Sequence, residues 1–251
     1  MLFEAEGLGY RYDDGTPALE AVTFDVEAGD QLAVLGANGS GKSTLLRLLN
    51  GLLFPSAGVL RFRGRNLSEA AFKTAEFRTE FRQSVGFVFQ NADAQLFNPT
   101  VFEELAFGPR QLGLPEAIVT QRVRDILDFI GIPHLADRPP FRLSGGEKRK
   151  VAISSVLSMN PDVLLFDEPF LGLDPRSQAW LVGTIRQLQE AGKTTIIATH
   201  TLDKLPLVAE KLILLSEEHT VEAVTIVETG LRDLAMLRRA NLIGETDAIL
   251  K

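Results

Sequence analysis

The chain reads as a series of short apolar runs separated by longer stretches with a helical rhythm. Unalternating runs bounded by turn-forming residues fall at Leu32–Leu35, Val85–Phe89, Val163–Phe166, Thr195–Ala198 and Leu212–Leu215. A strand that is apolar on both faces belongs in a sheet covered by helices on both sides, so these runs predict a parallel sheet. From Glu116 to Ile130, the apolar residues Val119, Val123, Ile126, Leu127 and Ile130 recur on one helical face. Pro115 stands just before the first turn and Gly131 just past the last, the punctuation of an amphipathic helix. The first 26 residues alternate instead and turn at Asp14-Gly15, which predicts antiparallel strands.

Together these patterns predict an α/β fold: a parallel-sheet core, an antiparallel β layer at the N-terminus and an inserted, mainly helical subdomain over residues 91–158. No internal repeat or low-complexity tract interrupts the pattern.

Composition narrows the classes of function. At 251 residues and 45% hydrophobic, the chain can bury one large core, with or without an inserted subdomain. The net charge of -7 leaves no broad basic surface, so nucleic acid is not an expected partner. There is no cysteine, which excludes a disulfide framework or a thiolate metal site and is compatible with the cytosol. The opening Met-Leu-Phe-Glu has neither a basic start nor an apolar stretch, so no secretory signal is expected. No apolar run approaches the roughly 20 residues that span a bilayer, and any membrane role is expected to pass through a partner.

The chemistry begins directly after the run at Leu32–Leu35, with Gly36, Ala37, Asn38, Gly39, Ser40, Gly41, Lys42, Ser43 and Thr44, and a helical-looking stretch follows. This is the P-loop pattern in its strand–loop–helix setting. Its glycines let backbone N–H groups turn toward phosphate oxygens, and the new helix adds free N–H groups and its positive end. Lys42 can reach the β- and γ-phosphates, the Ser43 hydroxyl is a hard ligand suited to Mg²⁺, and Thr44 can support the phosphates.

A second pair of groups, Asp167-Glu168, ends the run Val163–Phe166. Two acids at the end of a buried strand repel one another and lose solvation unless a cation or a cap offsets both. Asp167 is expected to hold the Mg²⁺, largely through its water. Glu168 is expected to orient or deprotonate the water that attacks the γ-phosphate.

Leu143-Ser144-Gly145-Gly146-Glu147 lies between these motifs. Alone it is a helix cap with a capping-box acid. In this order the chain resembles the ATP-binding cassette family over about residues 1–230, with a short helical tail at 231–251. In that family the signature presents its serine hydroxyl and glycine N–H groups to an ATP held by the opposite subunit. The resemblance extends to Gln90, expected to touch Mg²⁺ and the attacking water; to Asp174, expected at the dimer interface; and to His200, expected at the γ-phosphate. An aromatic side chain should stack on adenine; Tyr12 has the spacing, with Tyr10 the alternative. His134 and His219 match no motif and read as surface or core residues.

The segment Asn91 to Pro109, with Arg138–Arg142 and Glu147–Ser154, looks like the ATPases of energy-coupling-factor importers for vitamins, cobalt or nickel. Its Asp93–Phe107 part is expected to offer exposed apolar and acidic residues beside Gln90, suited to receiving a coupling helix. The resemblance implies ATP and Mg²⁺ as ligands and a second ATPase subunit, the same or a related chain. It also implies a transmembrane coupling protein with a substrate-binding membrane subunit, and a peripheral place on the cytoplasmic face of the membrane. The alternatives are the ATPase of another importer class, a soluble cassette ATPase acting on ribosomes or DNA, and an interaction module with vestigial nucleotide binding.

Overall fold

A computed structural model of the chain describes residues 1–244. The last part of the expected tail, residues 245–251, lies outside the described residues. In chain order the strands are β1 (Phe3–Arg11), β2 (Pro17–Val26), β3 (Gln31–Leu35), β4 (Ala57–Phe62), β5 (Arg65–Asn66), β6 (Val85–Val88), β7 (Val163–Asp167), β8 (Thr194–Thr199), β9 (Lys211–Leu215) and β10 (Val221–Ile226). The helices are α1 (Lys42–Leu49), α2 (Glu69–Lys73), α3 (Ala75–Ser84), α4 (Val101–Gln111), α5 (Glu116–Ile130), α6 (Gly145–Leu157), α7 (Pro175–Glu190), α8 (Leu205–Val208), α9 (Val227–Arg232) and α10 (Leu234–Arg239).

The larger sheet has the order β10-β9-β3-β8-β7-β6, parallel from β9 through β6, with β10 antiparallel at its edge. Alternate side chains of these strands enter different cores, and all are apolar. Leu32 and Val34 join Leu165, Ile196 and α1 in one core. Leu164, Phe166 and Ile197 join the helices α4 to α7 in a second. Ala33, Leu35, Leu212 and Leu214 pack under α8 and α10 in a third. Burial on both faces is the reason the sequence runs are unalternating.

The smaller sheet, β2-β1-β4-β5, is antiparallel. On β2, Val22, Phe24 and Val26 are buried while Ala21, Thr23 and Asp25 face solvent, the alternation of a half-buried strand. The β1–β2 turn forms at the expected place: Gly15 has φ +84°, and the Thr16 N–H donates to Asp14 Oδ1 at 2.9 Å.

Residues 91–158 contain helices and short 3₁₀ turns and no strand. The α5 helix spans Glu116–Ile130 as its periodicity predicts, with Val119, Val123, Leu127 and Ile130 buried and Gly131 closing it at φ +80°. The expectations named no element between Ala57 and Ser84. There β4 and β5 complete the antiparallel layer, and α2 and α3 are held by phenylalanines: Phe62 meets Phe81 edge-on at 5.0 Å, and Phe72 meets Phe77 at 5.4 Å.

Candidate nucleotide-binding site

Four loops leave the carboxyl ends of the adjacent strands β3, β8, β7 and β6. The register pairs Leu35 with Thr199, Asp167 with Ala198 and Val88 with Phe166. Gly36, His200, Glu168 and Gln90 therefore emerge at one edge of the sheet, where open α/β sheets collect ligands.

The loop after β3 uses glycine where the backbone requires it. Gly39 and Gly41 have φ of +88° and +101°, and a Cβ on Gly41 would stand 2.2 Å from the Ala18 carbonyl. Gly41 starts α1 without a side-chain cap, so the free N–H groups of the first turn face whatever the loop encloses. Lys42 is 6% exposed, and its Nζ donates to the Gly36 and Ala37 carbonyls at 2.8 and 2.9 Å. Burial pulls the Lys42 ammonium below its ordinary pKa, opposed by Glu168 and Asp167. Asn38, Gly39, Gly41, Lys42, Ser43 and Thr44 line a pocket of about 680 Å³ together with Tyr12, Gln90, Glu168 and His200. Gly36, Ala37 and Ser40 do not line it; Ser40 is buried, its Oγ without a hydrogen-bond partner among the described residues.

Of the two tyrosines, Tyr12 lines this pocket, its hydroxyl 2.8 Å from Thr44 Oγ1. Tyr10 packs edge-on against Tyr12 and faces a different cleft, beside Leu52 and Phe54.

Both acids are buried, and each has a partner. Ser43 Oγ donates to Asp167 Oδ1 at 3.0 Å. Glu168 sits at φ +43°, a left-handed conformation that costs a non-glycine residue about 1–3 kcal/mol. Its N–H donates to the Ala198 carbonyl, Thr199 Oγ1 donates to Oε2 at 2.9 Å, and Oε1 lies 2.8 Å from His200 Nδ1 and 3.8 Å from Lys42 Nζ. These contacts aim a strained carboxylate into the pocket beside the lysine.

Burial also raises the Asp167 pKa above the ordinary carboxylate range, with the Ser43 hydrogen bond opposing and Glu168 reinforcing the shift. The folded chain thus holds this proton more tightly than the unfolded chain. That difference subtracts stability at neutral pH and vanishes as the pH falls to the ordinary carboxylate value. Asp167→Asn, which keeps an acceptor for Ser43, should melt higher than wild type at neutral pH without nucleotide. Thermal melts across the acid range should show the difference shrinking.

The signature residues lie elsewhere. Ser144 caps α6 in a full capping box: its Oγ and N–H both donate to Glu147 Oε2 at 2.8 Å, and Oγ accepts from the Glu147 N–H. These backbone and side-chain bonds from Ser144 hold the Glu147 carboxyl below its ordinary pKa. Gly145, Gly146 and Asp174 line a separate cleft of about 210 Å³. Asp174 caps α7, accepting from Arg176 N, Ser177 N and Ser177 Oγ. Neither Ser144 nor these three residues line the Lys42 pocket, whereas Gln90 lines both clefts.

Three residues near the site carried no functional expectation. Arg149, 5% exposed on α6, donates to the Phe89 carbonyl at 2.7 Å. Gln95 accepts from the Phe89 N–H at 3.2 Å and donates to the Ala152 carbonyl at 2.7 Å. Both backbone groups of the residue preceding Gln90 are thus tied to the helix that begins at Ser144, and no local motif signals that. His219, expected at the surface or in the core, instead lines the pocket.

The segment Asp93–Phe107 corrects a further expectation in part. Glu104 is buried and accepts from Phe97 N, Asn98 N and Asn98 Nδ2, so this acid holds the loop and is not offered to a partner. Phe97 and Phe107 are 68% and 42% exposed and meet edge-on at 5.1 Å.

Comparison with known proteins agrees with this architecture. The family model described as ABC transporter matches residues 19–171. The nickel import ATP-binding protein NikO of Rhodobacter capsulatus is 45% identical over 248 residues, covering 98% of this chain and 97% of its own. The energy-coupling factor transporter ATP-binding protein EcfA of Methanothermobacter thermautotrophicus is 41% identical over 241 residues, covering 96% of this chain and 76% of its own. The structure of cbiO1 from Clostridium perfringens, part of the ABC transporter complex cbiONQ, superposes with a TM-score of 0.82 at 36% identity. That match covers 96% of this chain and 94% of the other. With the P-loop and the paired acids at one sheet edge, and the signature glycines in a separate cleft that shares Gln90, the chain belongs to the ABC transporter ATP-binding family and is an ATPase coupled to transport.

Proposed function

We propose that the chain is the ATP-hydrolysing subunit of an energy-coupling-factor type importer for a micronutrient, a vitamin or a nickel or cobalt ion. It would work on the cytoplasmic face of the membrane, paired with a second ATPase subunit and docked on a transmembrane coupling protein. Nickel import and energy coupling in the names of its relatives support the substrate class. No helix among the described residues is long and apolar enough to cross a membrane; in this reading docking on the coupling protein supplies the link to transport.

In this reading Lys42 binds the β- and γ-phosphates and Tyr12 meets the base. Glu168 orients the attacking water and accepts its proton at a carboxylate oxygen, while His200 and Thr199 hold that carboxylate in line. The bound phosphate competes with Glu168 for Lys42 and His200, so nucleotide and catalytic carboxylate share one charged network. Ser144, Gly145 and Gly146, lying outside this pocket, serve the ATP of the second subunit, with Asp174 beside them.

The donors near Lys42 also fit Mg²⁺. Ser43 and Asp167 present hard oxygens 3.0 Å apart, and Gln90 lines the same pocket. Among the described residues no group of three or more His, Cys, Asp or Glu could enclose a metal. The ion would take its remaining ligands from phosphates and water, and it would neutralise charge on the transferring phosphoryl group.

The observation that carries the membrane partner is the exposed Phe97–Phe107 pair, which meets edge-on in the segment that follows Gln90 while Val101 and Leu105 of the same segment are buried. Phe97→Asp is expected to abolish co-purification with the coupling protein when the complex is co-expressed, while the isolated subunit keeps its ATPase activity. Retained co-purification would remove this surface from the interface.

A further inference from the structure

The turn between β9 and β10, residues Ser216–Thr220, places His219 at φ +65°, in the left-handed region that disfavours a side chain. The turn is closed by Ser216 N donating to the Thr220 carbonyl at 2.9 Å, with the hydroxyls of the same two residues 2.9 Å apart. The His219 carbonyl accepts from Glu20 N at 2.8 Å, which ties the turn to β2. The Leu215 carbonyl lies 2.9 Å from where a Cβ on Gly36 would stand, so the turn also packs against the first residue of the P-loop. Three elements around the pocket therefore fix the position of this histidine.

His219 lines the pocket, and its Nδ1 is buried without a hydrogen-bond partner among the described residues. A buried polar nitrogen left unpaired is unfavourable, and here it is held in place on a strained backbone. The bond to Glu20 sets His219 at the β1–β2 end of the pocket, beside the wall formed by Thr16, Pro17 and Ala18. Tyr12 N donates to the Thr16 carbonyl at 3.0 Å, so the residue read as meeting the base belongs to this same wall.

We propose that His219 is a nucleoside-binding residue, whose ring hydrogen-bonds the ribose–base half of bound ATP and not its phosphates. This rests on the reading that ATP occupies the Lys42 pocket. Either tautomer serves, because a ribose hydroxyl and an adenine edge each offer both donor and acceptor.

The test compares wild type with His219→Gly, which suits the left-handed backbone and removes the ring, in calorimetric titrations with ATP and with inorganic tripolyphosphate. Loss of one hydrogen bond should weaken ATP binding about fivefold and leave tripolyphosphate binding unchanged. Equal ATP affinity in the two proteins, or an equal loss toward both ligands, would overturn the assignment. A wild-type protein that binds no ATP would instead sink the pocket itself, so the two failures are distinct. His219→Asn, which also tolerates this backbone, serves if the glycine variant melts lower than wild type. Titration with 2′-deoxy-ATP and 3′-deoxy-ATP locates the partner: a loss that disappears with one of them places it on that hydroxyl, and one that persists with both places it on the base.

Discussion

Glu168→Gln is expected to lower ATP turnover by at least about 100-fold while ATP still binds, because general-base assistance of this kind contributes roughly that factor or more. The change is nearly isosteric. Its amide oxygen can still accept from Thr199 Oγ1, now 2.9 Å from Oε2, and its NH₂ can meet His200 Nδ1 in the tautomer that accepts there. The left-handed backbone at φ +43° is anchored by the bond from its N–H to Ala198 and does not depend on the charge. What disappears is the proton acceptor. With ATP bound and hydrolysis stopped, the nucleotide should hold two chains together, so gel filtration should show a dimer with ATP and a monomer without it. Near-normal turnover in this variant would remove Glu168 from the chemistry.

Lys42→Ala should instead abolish binding, weakening ATP affinity by about 100-fold or more, the scale of losing one member of a buried charge pair. The substitution also frees the Gly36 and Ala37 carbonyls that Lys42 now holds at 2.8 and 2.9 Å, so the loop loses a brace as well as a charge. A ligand that binds only the folded state stabilises it by an amount that grows with the logarithm of one plus its concentration over its dissociation constant. ATP at millimolar concentration should therefore raise the wild-type melting temperature and leave that of Lys42→Ala almost unmoved. An equal rise in both would mean that the phosphates lie elsewhere.

Much of the fold was legible because its signals are local. The runs at Leu32–Leu35 and Val163–Phe166 are apolar at every position since both faces of those strands are covered. The limits of α5 follow from Pro115, Gly131 and the 3.6-residue period. The stretch from Ala57 to Ser84 was not legible. Its helix α3 is polar on most positions and gives the core only Phe77 and Phe81, which meet Phe72 and Phe62, too few apolar positions to set a helical period. At the site, the glycine pattern, the lysine and the paired acids identify themselves because phosphate chemistry demands those types in a fixed order. The same local logic gave His219 no role, since it matches no motif and reaches the pocket on a turn bonded to Glu20, far away in the chain.

The sequence by itself determined the kind of machine: a strand, glycine loop and helix in the P-loop pattern, two acids at the end of a second strand, and a capped signature helix between them. Each of these is written within a few residues, where backbone geometry and side-chain chemistry act locally. Tertiary structure alone decided which residues share a cavity. It put Glu168 against Thr199 and His200, left Ser144, Gly145 and Gly146 outside the Lys42 pocket, and clamped Phe89 to α6 through Arg149 and Gln95. Those relations come from strand order and from packing between segments remote in the chain, and neither residue type nor short spacing encodes them.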